Sequence, residues 1–322
     1  MATVRSRVSS RFTSRFASAL LVLCACTACN RDQPLSPVGP GDPADPDLAR
    51  DVRLHWSPYV GIHIDGGALN AYRDAVSALR RAGQLQGVRV EITRSNQKPS
   101  DPVIKAIGAL GVELLGLINN EYLFEENIEG EIDRIFAAYP EIRHFQVGNE
   151  VTTILPPTGP TLDIAGYMAV FQRVYDHVQN RYPGRAILLT QSTLGAGLYG
   201  PTELEAMVNL GLADMNPDQV IIAVNAYDPE SASQYLGLLG RQLRQFRVWV
   251  TESGVSDPTL HAAFVRDKYP RLRNYLRAER VYWYTMWGGD SGSDTDFSII
   301  KNPAGYPNYW KSPLFQLLAG AE

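Results

Sequence analysis

Two glutamates stand at the ends of two separate apolar segments, and they are the first indication of chemistry in this sequence. The segment IRHFQVGNE, residues 142–150, alternates apolar and polar residues, reaches a glycine, and then presents Asn149 and Glu150. The segment FRVWVTESG, residues 246–254, delivers Glu252 in a similar way. Such segments are typical of buried strands that end by placing polar side chains at one edge of a sheet. Two carboxylates on two strand ends indicate acid/base chemistry.

A pair of carboxylates is what the cleavage of a glycosidic bond requires. One carboxylic acid protonates the leaving oxygen, and a second carboxylate acts on the opposite face of the sugar. In retaining enzymes the second group is a nucleophile, and the two lie about 5–5.5 Å apart. The acid must keep its proton near neutral pH while the nucleophile stays ionised. Glu150 and Glu252 are the candidates for these two roles.

Strand-like and helix-like segments alternate along the chain from about residue 54 to residue 318. The apolar runs and their glycine or proline boundaries predict strands at 59–64, 87–93, 112–118, 142–150, 186–191, 220–227, 247–252 and 280–287. Helical periodicity and stop signals predict helices at 68–82, 101–110, 129–139, 162–182, 202–210, 231–246, 260–278 and 309–318, with Ser100 as the N-cap of the second.

Eight strand–helix units in one domain favour a particular architecture. Near-continuous apolar strands that alternate with helices call for a parallel sheet covered by helices. Eight units at this length match a closed (β/α)8 barrel, the TIM barrel, whose active sites lie at the carboxyl ends of the strands. The alternative is a doubly wound open sheet, but the glycine fingerprint GxGxxG does not follow the first strand. We therefore expect an α/β chain folded as a (β/α)8 barrel, with Trp283 and Tyr284 of its eighth strand in the core.

Three short motifs in this order resemble those of the clan A glycoside hydrolases. They are GNE at the end of the fourth strand, TE at the end of the seventh, and a tryptophan at the end of the eighth. The resemblance spans the whole barrel, although only these motifs are specific. It implies that Glu150 is the general acid/base, that Glu252 is the nucleophile, and that Asn149 contacts the sugar 2-hydroxyl. It implies no cofactor.

Further positions match looser features of the same clan. The resemblance implies that Arg89 holds the nucleophile ionised, that Tyr227 donates a hydrogen bond to it, and that Trp287 forms an apolar platform under the sugar. The strings VGNEV and TESG look like the plant-type endo-β-1,3-glucanases of family 17. The terminal tryptophan is closer to families 5 and 39, yet Asn225, two residues before Tyr227, stands where family 5 usually carries a histidine.

Two other function classes remain open on the sequence. A metal-dependent hydrolase would begin with histidines at the first strand end, where His63 lies, but the chain has five histidines and none falls at the ends of strands five or six. We expect no metal, and we expect His63 either to bind a sugar hydroxyl or to pack in the barrel floor. A non-catalytic surface lipoprotein that binds glycan is the other alternative.

The first residues predict an address outside the cytoplasm. Four arginines without any acid precede the short apolar run of residues 16–23, which is typical of a secretory signal over residues 1–25 and too short to span a membrane. The stretch VLCAC resembles a bacterial lipobox with Cys26 as the lipid-bearing residue, and Cys29 is the alternative. We therefore expect a lipoprotein of the bacterial cell envelope, which touches the membrane only through its lipid.

Composition sets the remaining expectations. Residues 26–53 are rich in Pro, Gly and Asp, so they cannot bury enough surface to fold and should form a tether to a catalytic domain over residues 54–322. The whole chain has a formal net charge of −4, and removal of the four leader arginines changes this to about −8. This charge argues against nucleic acid as a partner and leaves a carbohydrate substrate as the expected one.

Overall fold

A computed structural model describes residues 56–60, 66–95, 101–152, 162–194, 200–289 and 293–320 of the chain. All of these residues fall within one compact unit. The predicted signal, the lipobox cysteines Cys26 and Cys29, the tether and His63 lie outside the described residues, as does the predicted cap Ser100. Among the helices of the described part, none is long and apolar enough to cross a membrane.

Eight parallel strands of the described residues close into a ring. In order around the ring these are β1 (Trp56–Val60), β2 (Gly87–Ile92), β3 (Glu113–Ile118), β4 (His144–Val147), β5 (Ile187–Leu189), β7 (Val220–Asn225), β8 (Arg247–Ser253) and β9 (Ala278–Trp283). Pairing of β5 with β7 and of β9 with β1 closes the barrel. The two-residue strand β6 (Thr193–Leu194) follows β5 in the chain and also pairs with β7.

Helices pack around the outside of this ring and follow the strands in sequence. They are α1 (Gly66–Arg81), α2 (Pro102–Gly108), α3 (Ile128–Ala138), α4 (Ile164–Arg181), α5 (Gly200–Asn209), α6 (Pro229–Ala232), α7 (Leu236–Arg241), α8 (His261–Leu276) and α9 (Pro313–Ala319). Polar side chains cap several N-termini. The N-cap of α2 is Asp101, where Ser100 was expected, and its side chain accepts hydrogen bonds from the backbone N–H groups of Val103 and Ile104, which would otherwise lack partners.

Two apolar clusters form the core, one on each side of the strands. The small inner cluster fills the barrel and consists of Leu115, Leu189, Ile221, Ala223, Trp249 and Tyr282. The large cluster lies between the strands and the helices, and it includes alternate residues of the same strands, such as Val248, Val250 and Trp283. Because successive side chains of a strand point to opposite faces, each strand can supply both clusters. The expected (β/α)8 barrel is confirmed.

Several predicted boundaries are wrong. The eighth barrel strand ends at Trp283 and does not reach Trp287, which lies four residues beyond it. The first strand begins at Trp56, three residues before the expected start at residue 59, and its expected end at residue 64 lies outside the described residues. The single helix expected over residues 231–246 is broken into α6, a 3-10 turn at Ser233–Tyr235, and α7. The glycines at 237 and 240, which are poor helix formers, lie within the short last piece, α7.

Between β9 and α9 the chain forms a short antiparallel hairpin. Its strands are β10 (Ile300–Lys301) and β11 (Trp310–Lys311), and the N–H of Ile300 bonds to the carbonyl of Met286 in the segment that follows β9. A 3-10 turn, Ser293–Phe297, precedes β10. This connection therefore folds back over the carboxyl end of the barrel.

Candidate active site

The backbone after β4 turns sharply to present Asn149 and Glu150. Gly148 has a φ of +77°, and a Cβ atom there would lie 2.6 Å from the Val151 side chain and 2.7 Å from that of Leu123. No other residue type fits such a position without displacing its neighbours. Glu150 also adopts a positive φ of 49°, which costs a non-glycine residue about 1–2 kcal/mol. Strain of this kind persists only where the surroundings fix it.

The side-chain amide of Asn120 and the carbonyl of Ser192 hold the strained turn at Asn149 and Glu150 in place. Asn120, in the turn after β3, accepts a hydrogen bond from the backbone N–H of Asn149 and donates one to its carbonyl, both at 2.8 Å. The N–H of Glu150 donates to the carbonyl of Ser192 at 3.1 Å, beside β5. The strained turn is thus tied to the strand ends on both sides of β4, and the direction of the Glu150 side chain is set before any ligand binds.

Arg89, from β2, joins three polar groups at the centre of the barrel mouth. Its guanidinium is fully buried and donates from Nη1 to Glu252 Oε1 at 2.8 Å, from Nη2 to Asn149 Oδ1 at 3.0 Å, and from Nε to Gln146 Oε1 at 2.9 Å. A buried guanidinium is tolerated only when its charge and its donors are satisfied. Arg89 therefore both compensates Glu252 and fixes the amide of Asn149.

Glu252 is held by two donors on its two oxygens. Its side chain is 8% exposed, and besides Arg89 on Oε1 it receives the hydroxyl hydrogen bond of Tyr227 on Oε2 at 2.8 Å. Tyr227 lies two residues beyond the end of β7. Burial, followed by the charge of Glu252, raises the pKa of Tyr227 well above its usual value, so the phenol keeps its proton and remains a donor. Each carboxylate oxygen of Glu252 therefore faces a hydrogen-bond donor.

Glu150 has a different environment. Its Oε1 accepts a hydrogen bond of 2.7 Å from the amide of Asn225, which is neutral. Burial among protein atoms, followed by repulsion from the nearby charge of Glu252, raises the pKa of Glu150 to about 8, and the Asn225 bond offsets this only in part. Glu150 is therefore protonated at neutral pH, whereas two donors surround Glu252. One carboxyl can give a proton while the other offers an electron pair.

A hydrogen bond from Thr251 fixes the orientation of the Asn225 side chain. The hydroxyl of Thr251 donates to Asn225 Oδ1 at 2.9 Å, which directs the amide NH₂ group toward Glu150 and toward Asn149 Oδ1 at 3.3 Å. Thr251 in turn shares a hydrogen bond with the hydroxyl of Ser192. Asn225, Thr251 and Ser192 are all fully buried, so water does not compete for these hydrogen bonds.

The structure brings Arg89, Asn149, Glu150, Asn225, Tyr227 and Glu252 together at the carboxyl end of the barrel. Trp287 is half-buried and packs against the core, with its ring 6.5 Å from that of Tyr72 and tilted by 50°. Trp287 was expected at the end of the eighth barrel strand. That strand ends at Trp283, so Trp287 belongs to the connection that follows β9. His63 lies outside the described residues.

Sequence reasoning missed the residues that link these groups. Gln146, in the middle of β4, donates to the hydroxyl of Ser192 at 2.8 Å and to the carbonyl of Gly148 at 3.0 Å, while accepting from Arg89. A glutamine in a buried apolar strand was a signal for such a role, because buried amides need partners. Nothing in the sequence pattern indicated which partners these are.

Tyr284 was expected in the core and also belongs to the site. It is half-buried, and its backbone N–H donates to the carbonyl of Ser253 at 2.8 Å, at the end of β8. Trp283, for which the same was expected, is fully buried in the outer cluster. Alternation along β9, with Tyr282 inside the barrel, was the available signal that Tyr284 points toward its mouth.

Metal ligands are not grouped in the described part of the chain. Among those residues, no set of three or more His, Cys, Asp or Glu side chains has the arrangement to hold a metal ion. The donors that contact Glu252 and Glu150 there are organic groups, namely a guanidinium, a phenol and an amide.

Comparison with known proteins gives a likeness in fold. No protein-family model matches the chain, and no curated protein sequence matches it. Among solved structures, the chain is similar to a family 5 xyloglucanase from Paenibacillus pabuli, at 12% identity over 84% of this chain and 98% of that one, with a TM-score of 0.52. It is also similar to an endo-β1,6-glucanase, at 9% identity over 83% and 75% of the two chains, with a TM-score of 0.57.

A third similar structure is the catalytic domain of a mannanase from Streptomyces sp. SirexAA-E. The identity is 12%, the match covers 82% of this chain and 84% of that one, and the TM-score is 0.52. At these identities the likeness shows the barrel fold that the chain shares with glycoside hydrolases.

Proposed function

We propose that this chain is a retaining glycoside hydrolase that cleaves β-glycosidic bonds of a β-glycan or its oligosaccharides. The observation that carries the proposal is the contrast between two carboxyl groups in one barrel mouth. Glu252 receives hydrogen bonds from Arg89 and Tyr227, whereas Glu150 faces a neutral amide and has its pKa raised to about 8. A protonated acid beside a stabilised carboxylate is the arrangement that double displacement needs.

In the first step of the proposed mechanism, Glu252 attacks the anomeric carbon. The bond from that carbon to the leaving oxygen breaks, and Glu150 gives its proton to this oxygen. The product of the step is a glycosyl ester of Glu252. Asn149, whose Oδ1 is held by Arg89 at 3.0 Å, would offer its amide to the hydroxyl next to the anomeric carbon. A hydrogen bond there that strengthens in the transition state contributes several kcal/mol to glycosidase rates.

In the second step Glu150 acts as a base. It is ionised at this stage, because it gave its proton to the leaving oxygen in the first step. It removes a proton from a water molecule, the water oxygen attacks the anomeric carbon, and the bond to Glu252 breaks, which restores both carboxyl groups to their starting states. Two inversions at one carbon give net retention.

The fold likeness supports this proposal without deciding the sugar. The similar structures are named as a xyloglucanase, an endo-β1,6-glucanase and a mannanase, which differ in their glycans. A panel of β-1,3-, β-1,4- and β-1,6-linked gluco-oligosaccharides, with manno- and xylo-oligosaccharides, should therefore be incubated with the full chain and with the Glu252→Gln variant. We expect products from at least one wild-type reaction and none from the variant. Binding without hydrolysis by the wild type would favour the non-catalytic alternative.

We also propose that the enzyme is a lipoprotein of the bacterial cell envelope. The support is the sequence alone, namely the basic leader, the apolar run and the VLCAC motif, followed by a tether rich in Pro and Asp. Cys26→Ser should abolish incorporation of labelled palmitate in a bacterial host, and Cys29→Ser should not. Loss of label only in the Cys29 variant would move the lipid to that residue, and label in neither wild type nor variants would refute the lipid.

A further inference from the structure

Tyr284 lies on the far side of the barrel mouth from Glu150. In the ring of eight strands, β9 is four positions from β4 in either direction, and Tyr284 follows β9 directly. Its N–H donates to the carbonyl of Ser253, next to Glu252, and its ring contacts Phe297, which also contacts Tyr227. Burial, followed by the charge of Glu252, raises the pKa of Tyr284, so its phenol stays protonated. Because Glu150 would protonate the leaving oxygen, the side opposite to it holds the sugar that stays on Glu252.

The turn Ser293–Phe297 is anchored beside Tyr284 by several bonds. The indole N–H of Trp283 donates to the carbonyl of Phe297 at 2.9 Å, and the ring of His261 lies 3.0 Å from the carbonyl of Asp296. The Phe297 ring stands between two tyrosines, at 5.8 Å from the ring of Tyr227 and 5.9 Å from that of Tyr284. The turn is therefore fixed against the aromatic wall of the cleft.

This turn presents a carboxylate that Tyr284 holds. The hydroxyl of Tyr284 donates to Asp294 Oδ2 at 3.0 Å, and Asp294 is exposed. The arrangement parallels the bond from Tyr227 to Glu252. A carboxylate offers about four acceptor positions, and the Tyr284 hydroxyl occupies one of them. Asp296, on the same turn, pairs with Lys301 at 3.4 Å.

We propose that Asp294, positioned by Tyr284, is a specificity-determining residue that accepts hydrogen bonds from hydroxyl groups of the sugar unit retained on Glu252. The inference rests on the proposed function and deepens it. A carboxylate that receives hydrogen bonds from sugar hydroxyls selects sugars that carry them, because a sugar without such a hydroxyl leaves the charge without that partner.

The experiment uses aryl β-glycosides, whose leaving group carries no sugar, so that any effect must arise on the retained side. The full chain and the variants Asp294→Ala and Tyr284→Phe are compared on the aryl glycoside that the wild type cleaves best and on its monodeoxy analogues. Asp296→Asn is the matched control, since it removes a charge from the same turn. Thermal denaturation checks that all variants fold.

For Asp294→Ala we expect kcat/KM on the parent glycoside to fall by roughly 10- to 100-fold, the range of a hydrogen bond to a charged group. The decisive expectation concerns one or two deoxy analogues. The wild type should cleave them more slowly than the parent glycoside by a similar factor, whereas Asp294→Ala should cleave these analogues and the parent glycoside at the same rate. Tyr284→Phe should give a smaller loss on the same analogues, and Asp296→Asn none.

Two results would count against different claims. If the wild type cleaves the glycosides and Asp294→Ala keeps the full discrimination against every deoxy analogue, as Asp296→Asn does, the role of Asp294 is refuted and the proposed function stands. If the wild type cleaves no aryl glycoside and no oligosaccharide of the panel, the proposed function itself is refuted. A uniform loss on all analogues would indicate a structural role and would also overturn the inference.

Discussion

The two ends of the barrel each contain charged groups, half-buried at one end and more deeply buried at the other, and they balance those charges differently. At the amino-terminal end, Glu113 of β3 lies 2.7 Å from the ring nitrogen of His144 and 2.5 Å from the guanidinium of Arg280. The Trp249 ring packs against Arg280 and His144. The Arg280 guanidinium lies 4.3 Å and the centroid of the His144 ring 4.8 Å from the centroid of the Trp249 ring. One carboxylate thus has two nitrogen partners.

At the carboxyl-terminal end the ratio of carboxyl groups to cationic partners is reversed. Glu150 and Glu252 share the neighbourhood of one buried cation, Arg89, which bonds to Glu252. The pKa values follow from this difference. Burial works against the charge of Glu113, but hydrogen bonds and charges of His144 and Arg280 outweigh it and lower the pKa to about 2. Burial and the charge of Glu252 instead raise the pKa of Glu150 to about 8.

The comparison indicates where this fold stabilises itself and where it holds reactive groups. A carboxylate with compensating partners contributes to stability, whereas one kept protonated by its surroundings costs stability and can act as an acid. The strained φ of Glu150 adds to this cost at the same end of the barrel. Substitutions at the two ends should therefore differ in their effects on activity and on unfolding.

The largest effect is expected from Glu252→Gln. The amide cannot attack the anomeric carbon, so kcat should fall by something on the order of 10⁴- to 10⁶-fold, as when other covalent catalysts lose their nucleophile. Steady-state kinetics on the best substrate of the panel would measure it. A variant that folds and retains more than about a hundredth of the activity would contradict the role of Glu252.

Glu150→Gln should have the next largest effect, and it should depend on the leaving group. Loss of a general acid costs about 10²- to 10⁴-fold when the leaving oxygen needs a proton. The loss should be large on oligosaccharides and small for the first step on an aryl glycoside with an acidic phenol, which leaves without protonation. Equal losses on both substrate types would argue against proton donation by Glu150.

The pH dependence should reflect the raised pKa of Glu150. Since the acid must be protonated, kcat/KM should fall as the pH rises through about 8, the pKa of Glu150 in the free enzyme. A pH–rate profile across the neutral and alkaline range, at constant ionic strength, is the measurement. A descending limb near the ordinary carboxyl value would contradict this environment.

Stability should change in opposite directions at the two ends. Between pH 4.5 and about 8 the unfolded chain releases a proton that folded Glu150 keeps, so this group costs stability as the pH rises. Glu150→Gln should therefore raise Tm more near the upper end of this range than near its lower end. Thermal denaturation at both pH values would test this. A Tm that falls at both would show that Glu150 is not destabilising.

The smallest effect is expected from Glu113→Gln. The pKa of Glu113 is lowered from 4.5 to about 2, so its stabilising contribution is present above pH 4.5 and is lost as the pH falls toward 2. Because the side chain is 37% exposed, screening should limit the loss at neutral pH to about 1 kcal/mol. Denaturant unfolding would measure it, and kcat/KM should stay unchanged. A simultaneous loss of activity would mean that the two barrel ends are coupled.

The sequence was sufficient for the barrel and for the position of the two glutamates. Strand periodicity, the glycine at 148, and the order of the units placed Glu150 and Glu252 at carboxyl strand ends, because these signals are local. The extent of the last strand could not be read, since the apolar run through Trp287 continues after the ladder ends at Trp283. Apolar composition does not reveal where strand pairing stops.

The supporting contacts were out of reach for a different reason. Gln146 joins Arg89 to Ser192, and Asn120 holds the backbone of Asn149, so most of these contacts connect segments far apart in the chain. Their geometry depends on the register between strands, and near-continuous apolar strands that are buried on both faces carry no alternation that would fix it.

Tyr284 was assigned to the core for a simpler reason. It follows the fully buried Trp283 in one continuous aromatic run, and such a run gives no contrast between polar and apolar faces. Alternation along the strand nevertheless places the two side chains on opposite faces. In a run of aromatic residues at a strand end, the position of each residue along the strand therefore predicts which face its side chain occupies better than its residue type does.

The central claim is that Glu150 and Glu252 act by double displacement, and the anomeric form of the first product tests it most directly. Proton NMR during the first minutes of hydrolysis, before mutarotation, would record which anomer appears from the best β-linked substrate. We predict that the β-anomer forms first and that the α-anomer accumulates only later. An α-anomer as the first product would mean a single displacement by water and would contradict Glu252 as the nucleophile.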